Sequence, residues 1–140
     1  MATIQNIQQD IIEEFEMFDE WMAKYELLIE IGKSLPLIDE QYKTKEHIIN
    51  GCQSQVWLHA DLKDQKIHFT ADSDAIMTKG IIALLIRTFS DQKPQDVLNA
   101  DTDFIAQIGL NDQLSPTRAN GLLSMVKQMK IYALAFQSQN

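Results

Sequence analysis

The sequence contains a single cysteine, and its neighbours make it the first candidate for covalent chemistry. Cys52 follows Gly51 and precedes Gln53, Ser54 and Gln55. Gly51 permits backbone conformations that other residues avoid, and the polar run indicates a loop, where reactive groups occur more often than in cores. A free thiol has a pKa of about 8.5, so a nucleophilic Cys52 needs amides, a cation or a partner's site to raise its thiolate fraction. The alternative is an inert, buried side chain, which is what most lone cysteines are.

Three histidines are the other side chains that change charge near neutral pH. His47 lies five residues before Cys52 and is a candidate base. A Cys–His hydrolase also needs an orienting third group and an oxyanion hole, and no motif marks either, so that interpretation is disfavoured. His59 and His68 alternate onto one non-core face of a predicted hairpin, where a surface pair is favoured over a metal site.

Charged residues at predicted helix starts are the remaining candidates. Arg118 falls in the first turn of the last predicted helix, where a cation opposes the helix dipole. That position indicates a carboxylate partner or an anionic ligand, unless Arg118 is solvated or paired with a nearby Asp. Asp72 and Asp74 flank Ser73 at another helix start, where capping and the dipole explain both carboxylates. Lys79, on the same helix, is expected on a solvated face.

The composition indicates one globular domain over residues 1–140. Apolar residues make up 45% of the 140 residues and charged residues 23%, enough for a single hydrophobic core. The net charge of −8 disfavours a nucleic-acid partner. Residues 1–30 hold eight acids and one base, which indicates a solvated helix face or a docking surface for a basic partner.

The sequence also predicts a cytoplasmic protein with no membrane partner. Its longest apolar run is far shorter than the roughly 20 residues of a membrane-spanning helix, and the first residues lack the pattern of an export signal. One cysteine forms no internal disulfide and no all-cysteine zinc site.

Hydrophobic periodicity predicts helices, then a small antiparallel sheet, then helices, an α+β arrangement with about three strands. Two helices cover the first 32 residues, the second capped by Asp19 and ended by Gly32. A hairpin with a polar turn at 63–65 follows, and Ile48 and Ile49 are expected to begin a further strand. The helices after it are predicted from their caps, prolines and glycines: one from Asp72 or Ser73 to about Phe89, one from Pro94, one over 103–108, and a long one from Pro116.

With these elements in place, the sequence resembles the SufE family of sulfur acceptors for cysteine desulfurases. The resemblance covers about residues 19–135, and its most specific part is the run Gly-Cys-Gln-Ser-Gln-Val-Trp at 51–57. One position departs from the family pattern, because His47 stands where Asn is expected. Three spaced blocks carry the rest of the resemblance: the second helix with Trp21, Tyr25 and Gly32, the run Asp72-Ser73-Asp74-Ala75 with Lys79-Gly80, and the run Leu114-Ser115-Pro116-Thr117-Arg118 with Gly121.

The resemblance implies a small antiparallel sheet packed against helices, a fold shared with NifU-like scaffolds. It implies that Cys52 takes sulfane sulfur from a pyridoxal-phosphate cysteine desulfurase (SufS-like), becomes a persulfide, stimulates that enzyme, and passes the sulfur to a SufBCD-like scaffold complex. The chain would then be a sulfurtransferase-like carrier, with no cofactor of its own and no independent catalysis. The family fold suggests that the start of the Asp74 helix and Arg118 border the cysteine loop. Supporting or docking roles are therefore expected for Gly51, Gln53, Ser54, Asp74 and Arg118.

Two other classes of function compete with the carrier. An iron–sulfur scaffold is disfavoured, because such clusters need about three or four thiolates and the chain has one. A binding module with an inert, buried Cys52 stays open. A single cysteine suits a carrier, since a second thiol nearby would resolve the persulfide into a disulfide.

Overall fold

The computed structural model of the chain describes residues 3–49, 55–110 and 116–138, and for residues 116–120 the backbone alone. Two helices come first, as the apolar stripes predict. Helix α1 spans Ile4–Glu16, and the Thr3 hydroxyl caps it. Helix α2 spans Trp21–Gly32 and ends at the predicted glycine. The prediction of Asp19 as its N-cap is wrong: Glu20 holds that position and makes no side-chain cap bond.

An antiparallel hairpin forms the sheet. Strand β1 spans Val56–Lys63 and strand β2 spans Lys66–Ser73. The two residues between them, Asp64 and Gln65, have φ angles of 54° and 66°. Positive φ at both central positions is the geometry of a type I′ turn, whose twist matches that of the flanking strands. The predicted polar turn is therefore confirmed.

The sheet has two strands among the residues described, whereas the sequence predicted about three. Ile48, which was expected to begin another strand, forms only an isolated bridge with Trp57. Leu37 likewise forms a single bridge with Ala71. The chain between these bridges makes short 3-10 turns, whose amides bond three residues back along their own chain and so cannot extend the ladder.

Helix α3 spans Ile76–Phe89 and is the central buried helix that its apolar composition predicts. It meets α2 backbone to backbone. A Cβ placed on Gly80 would lie 2.4 Å from the Leu28 carbonyl oxygen, and one on Gly32 would lie 2.8 Å from the Gly80 nitrogen. Close packing is therefore the reason for a glycine inside this helix, as predicted from the sequence.

Helix α4 spans Pro94–Asn99 and α5 spans Asp103–Gln107. Gly109 follows with a φ of 81°, which suits a glycine past a helix end. The last helix, α6, spans Pro116–Ser138 and begins at the predicted proline.

The core lies between the hairpin and the helices, so the predicted α+β class is confirmed. Contacts from α3 and α6 cover the inner face of the hairpin. Among the residues described above, no helix is both long and apolar enough to cross a membrane. The buried residues of the inner face alternate along each strand: Val56, Leu58, Ala60, Ile67, Phe69 and Ala71.

Candidate functional site

The outer face of the hairpin is covered by residues 37–49, here called the covering segment. It contains two 3-10 turns, Glu40–Tyr42 and Lys45–His47. The Tyr42 ring stacks on the His59 ring with centroids 3.7 Å apart and planes 8° from parallel. The face that strand alternation assigns to solvent is therefore packed against the segment that leads to Cys52.

The last residues of the covering segment are fixed to β1. His47 Nε2 lies 3.1 Å from His59 Nδ1. Two residues later, the Ile49 amide donates to the Val56 carbonyl at 2.9 Å. These contacts hold the chain on the N-terminal side of the cysteine to the first residue of β1.

The chain on the other side of the cysteine is fixed to the residues before α3. The Gln55 amide donates to Asp74 Oδ1 at 3.1 Å, and the Asp74 amide donates to the Gln55 carbonyl at 3.3 Å. We call this reciprocal pair of bonds the Asp74 clasp. Asp74 is exposed and close in space to the chain that carries Cys52, although 22 residues separate them in sequence.

Residues 50–54, here called the cysteine segment, run between these two fixed points. Four of the candidate residues belong to it, namely Gly51, Cys52, Gln53 and Ser54, and they lie outside the described residues. The ends of the segment are tied, since Ile49 bonds to Val56 and Gln55 bonds to Asp74. The only cysteine of the sequence therefore lies in a five-residue segment whose flanking residues are fixed.

Asp72 lies beside the clasp and joins three parts of the chain. Its carboxylate contacts Lys43 of the covering segment at 2.8 Å and Lys79 of α3 at 3.3 Å, and it accepts from the Ser73 amide at 2.8 Å. Burial alone raises the pKa of this carboxyl, but the bonds from Lys43, Ser73 and Lys79 outweigh it and hold the pKa below its ordinary value. The same contact, with help from Glu40, raises the pKa of Lys43.

These contacts correct two sequence interpretations. Neither Asp72 nor Asp74 caps α3, whose N-cap position is Ala75 with no side-chain cap bond. Ser73 accepts from the Ala75 amide just before the helix. Lys79 is also not merely solvated, because it pairs with Asp72.

The histidines share one face, as predicted, but His59 and His68 do not pair. His59 stands opposite Thr70 in the register, while His68 stands opposite Asp61 and approaches Asp91 at 3.9 Å. His59 instead bonds to His47 and, through Nε2, to Asp61 at 3.1 Å. Within the described part of the chain, no group of three or more His, Cys, Asp or Glu residues is placed to hold a metal ion.

Arg118 is the third residue of α6, so it lies in the first helical turn as predicted, and its side chain is outside the described residues. The acidic N-terminal region has a structural role at one position. Arg87 of α3 donates to both carboxylate oxygens of Glu14, with 3.0 Å between Nη1 and Oε1. The hydrogen bond from Arg87 lowers the pKa of Glu14, against the opposing effect of burial. Because Glu14 pairs with Arg87 of α3, its carboxylate is less available to a partner, and α1 is a weaker candidate for the docking surface.

Sequence reasoning missed two residues of this region, Tyr42 and Lys43. Both lie at the first of the two 3-10 turns, which carry no hydrophobic period. Their partners, His59 and Asp72, lie more than fifteen residues away in sequence, so no local pattern marks the contacts.

Comparisons with known proteins converge on one family. The family model SufE, described as an Fe-S metabolism associated domain, matches residues 9–133. An uncharacterized SufE-like protein of Rhizobium meliloti is 40% identical over 125 residues, which cover 86% of this chain and 89% of that protein. An uncharacterized SufE-like protein of Synechocystis is 38% identical over 136 residues, covering 97% of this chain and 86% of that protein.

A plant relative is longer, and a solved structure shares the fold. SufE-like protein 1, chloroplastic/mitochondrial, of Arabidopsis thaliana is 42% identical over 127 residues. The match covers 90% of this chain and 34% of the plant protein, so the chain spans about a third of that relative's length. The solution structure of a hypothetical protein from Thermus thermophilus superposes with a TM-score of 0.80, covering 94% of this chain and 96% of that one, at 19% identity.

Proposed function

The chain belongs to the SufE family, and from that premise we propose that it accepts sulfur on Cys52 from a cysteine desulfurase and carries it toward iron–sulfur cluster assembly. The domain itself is one associated with Fe–S metabolism. One observation carries the finer proposal: the only cysteine of the chain lies on a segment whose two ends are tied at Ile49 and Gln55.

The transfer needs no oxidant or reductant. The Cys52 thiolate attacks the outer, sulfane sulfur of a persulfide on the desulfurase cysteine. One S–S bond forms on Cys52 while the S–S bond on the enzyme breaks, and the enzyme's cysteine leaves as a thiolate. The proton that Cys52 loses on becoming a thiolate goes to solvent or to a base of the enzyme. Removing the sulfur frees the enzyme's cysteine for another turnover, which is how the carrier stimulates the desulfurase.

The fixed residues on either side of the cysteine segment support docking to another protein. Ile49 and Gln55 are already held by hydrogen bonds, so they have little conformational freedom left to lose when a partner binds, which lowers the entropic cost of docking.

Charges around the segment fit docking more than binding a small ligand. Asp72 and its two lysines satisfy one another, whereas Arg118 occupies a helix position that opposes its charge. The family resemblance implies that Arg118 borders the cysteine segment, and opposite charges at Arg118 and Asp74 orient a partner more than they add affinity. We assign Arg118 to contact with the desulfurase and Asp74 to positioning the segment, and Gly51, Gln53 and Ser54 support Cys52 within it.

The cofactor, the later partner and the compartment follow from the same proposal. The desulfurase brings the pyridoxal phosphate, and a SufBCD-like scaffold complex takes the sulfur from Cys52. Reductants and other thiols attack a persulfide, so the transfer is made directly between docked proteins. We place it in the cytoplasm, where a lone thiol stays reduced.

Intact-mass spectrometry tests the proposal. The chain is incubated with a cysteine desulfurase and L-cysteine, and gains the mass of one sulfur atom on Cys52. Cys52→Ser gains none and no longer accelerates alanine release. An unmodified wild-type chain that still binds the enzyme would identify instead a binding module with an inert cysteine.

A further inference from the structure

We propose that His47 and His59 form a proton-controlled latch that holds the end of the covering segment on β1. The observation is a continuous chain of side-chain hydrogen bonds on the outer face of the hairpin. Thr44 Oγ1 lies 3.0 Å from His47 Nδ1, His47 Nε2 lies 3.1 Å from His59 Nδ1, and His59 Nε2 lies 3.1 Å from Asp61 Oδ1. The chain joins the covering segment to β1 just before the cysteine segment.

One arrangement of protons satisfies every bond of the neutral pair. Ionised Asp61 only accepts, so His59 Nε2 carries a proton and donates to it. His59 Nδ1 is then an acceptor and takes a hydrogen bond from His47 Nε2–H. His47 Nδ1 in turn accepts from the Thr44 hydroxyl. The partners at the two ends thus determine the tautomer of each ring.

A first added proton is accommodated by reversing two of these bonds. His59 then carries protons on both nitrogens, donating to Asp61 and to His47 Nε2. The His47 proton moves to Nδ1 and is donated to the Thr44 oxygen, which accepts as readily as it donates. The charge on His59 faces the Asp61 carboxylate, so the latch stays closed.

A second added proton opens the latch. With both rings cationic, His47 Nε2–H and His59 Nδ1–H are two donors facing each other across 3.1 Å. Like charges at that separation repel, and neither nitrogen can accept. The rings must therefore separate, and His47 carries the end of the covering segment with it.

Asp61 is the only carboxylate that the described contacts place on either ring, and its side chain is 70% exposed. The other ring neighbour that can ionise is Tyr42, which stacks on His59 through its ring face. Four further ionisable groups lie around the pair: His68, opposite Asp61 in the register; Lys43, held at Asp72; and Lys45 and Glu46, next to His47 in its turn.

The latch acts on the cysteine segment through the backbone that follows His47. Ile48 bridges to Trp57, and the Ile49 amide donates to the Val56 carbonyl at 2.9 Å. Separation of the rings loosens these bonds and so frees Ile49, the residue that precedes the cysteine segment. Resting on the proposed function, the consequence is that sulfur acceptance by Cys52 slows in acid. His47 and His59 are positioning residues, because neither acts on the sulfur itself.

Three variants separate the donor role of His47 from its proton uptake. His47→Gln keeps an N–H donor for His59 and cannot be protonated, so it holds the latch closed at every pH. His47→Ala removes the donor altogether. His68→Asn is the control, since His68 lies on the same face and outside the bonded chain.

Hydrogen exchange of the Ile49 amide tests the latch without any partner. Between about pH 5 and pH 8, where histidines change charge, the protection factor should fall with acid in the wild type and in His68→Asn. It should stay constant in His47→Gln. His47→Ala should lower it by about two- to twelvefold at neutral pH, which is what losing one net hydrogen bond gives. Unchanged protection in His47→Ala, or the same pH dependence in His47→Gln as in the wild type, would overturn the proposal.

Sulfur loading of Cys52 tests the consequence. The loading rate with desulfurase should fall in acid for the wild type relative to His47→Gln, measured side by side so that the pH dependence of the enzyme cancels. A wild-type chain that takes no sulfur at any pH refutes the carrier function and leaves the exchange test of the latch standing. Equal pH profiles for loading in the two chains, despite different exchange profiles, would show that the latch does not control sulfur acceptance.

Discussion

Substituting Asp74 tests whether the Asp74 clasp positions the cysteine segment. Asp74→Ala removes the acceptor that lies 3.1 Å from the Gln55 amide, whereas Asp74→Asn keeps an oxygen at that place and removes the charge. A hydrogen bond of this kind contributes about 0.5–1.5 kcal/mol net. The loss corresponds to a roughly two- to twelvefold lower protection of the Gln55 amide against exchange, since about 1.4 kcal/mol is a factor of ten.

The charge of Asp74 makes a separate, smaller contribution. A carboxylate just before the first turn of α3 interacts with the helix dipole by about 0.3–1 kcal/mol, and both substitutions remove that interaction. Both variants should therefore melt slightly below the wild type, while Asp74→Ala alone should lose protection at Gln55.

Hydrogen exchange measured by NMR, thermal unfolding and desulfurase stimulation together form the assay for Asp74. If the clasp positions the segment, Asp74→Asn keeps most of the stimulation and Asp74→Ala loses it. Equal loss in the two variants, with Gln55 still protected in Asp74→Asn, would refute the positioning role and assign the carboxylate to direct contact with the enzyme.

Three further predictions concern the elements around the site. Gly80→Ala should destabilise the chain by about 1–3 kcal/mol in urea unfolding, because its Cβ would lie 2.4 Å from the Leu28 carbonyl oxygen and α2 would have to move. An unchanged urea midpoint would contradict the α2–α3 packing. Asp72→Ala should lower the melting temperature most near pH 7. The folded-state pKa of Asp72 is depressed, so its contribution to stability is present above its unfolded-state pKa and is lost as the pH falls through the folded-state pKa. A difference in melting temperature between wild type and Asp72→Ala that grows in acid would contradict the Lys43 contact. Arg118→Glu should weaken desulfurase stimulation and leave the free energy of unfolding equal or up to about 1 kcal/mol higher. Unchanged stimulation would show that Arg118 is not part of the docking surface.

The sequence predicted the parts of the fold that depend on local signals. Alternation defines the two strands, and the polar pair Asp64 and Gln65 marks the turn between them. Pro94 and Pro116 mark helix starts. Gly109 follows the end of a helix with a positive φ, which glycine adopts readily because it has no side chain. Each of these features is fixed by residues within a few positions of one another.

The errors arise where distant residues compete for one side chain. Asp72 was interpreted as a cap because it precedes a helix, but Lys43 and Lys79 take its carboxylate. Ile48 was expected in a strand because it is apolar and β-branched, yet the adjacent 3-10 turn limits it to one bridge. The pairing of His47 with His59 is likewise set by the covering segment as a whole, which no short pattern predicts.

Sulfur transfer to Cys52 tests the central claim most directly. The desulfurase is supplied with L-cysteine labelled with 35S, and the label is followed to the wild-type chain and to Cys52→Ser. Release of the label by a reductant identifies a persulfide. The account predicts one labelled sulfur per wild-type chain, lost on reduction, and none on Cys52→Ser. Label on neither chain, or equal label on both, would contradict a carrier that works through Cys52.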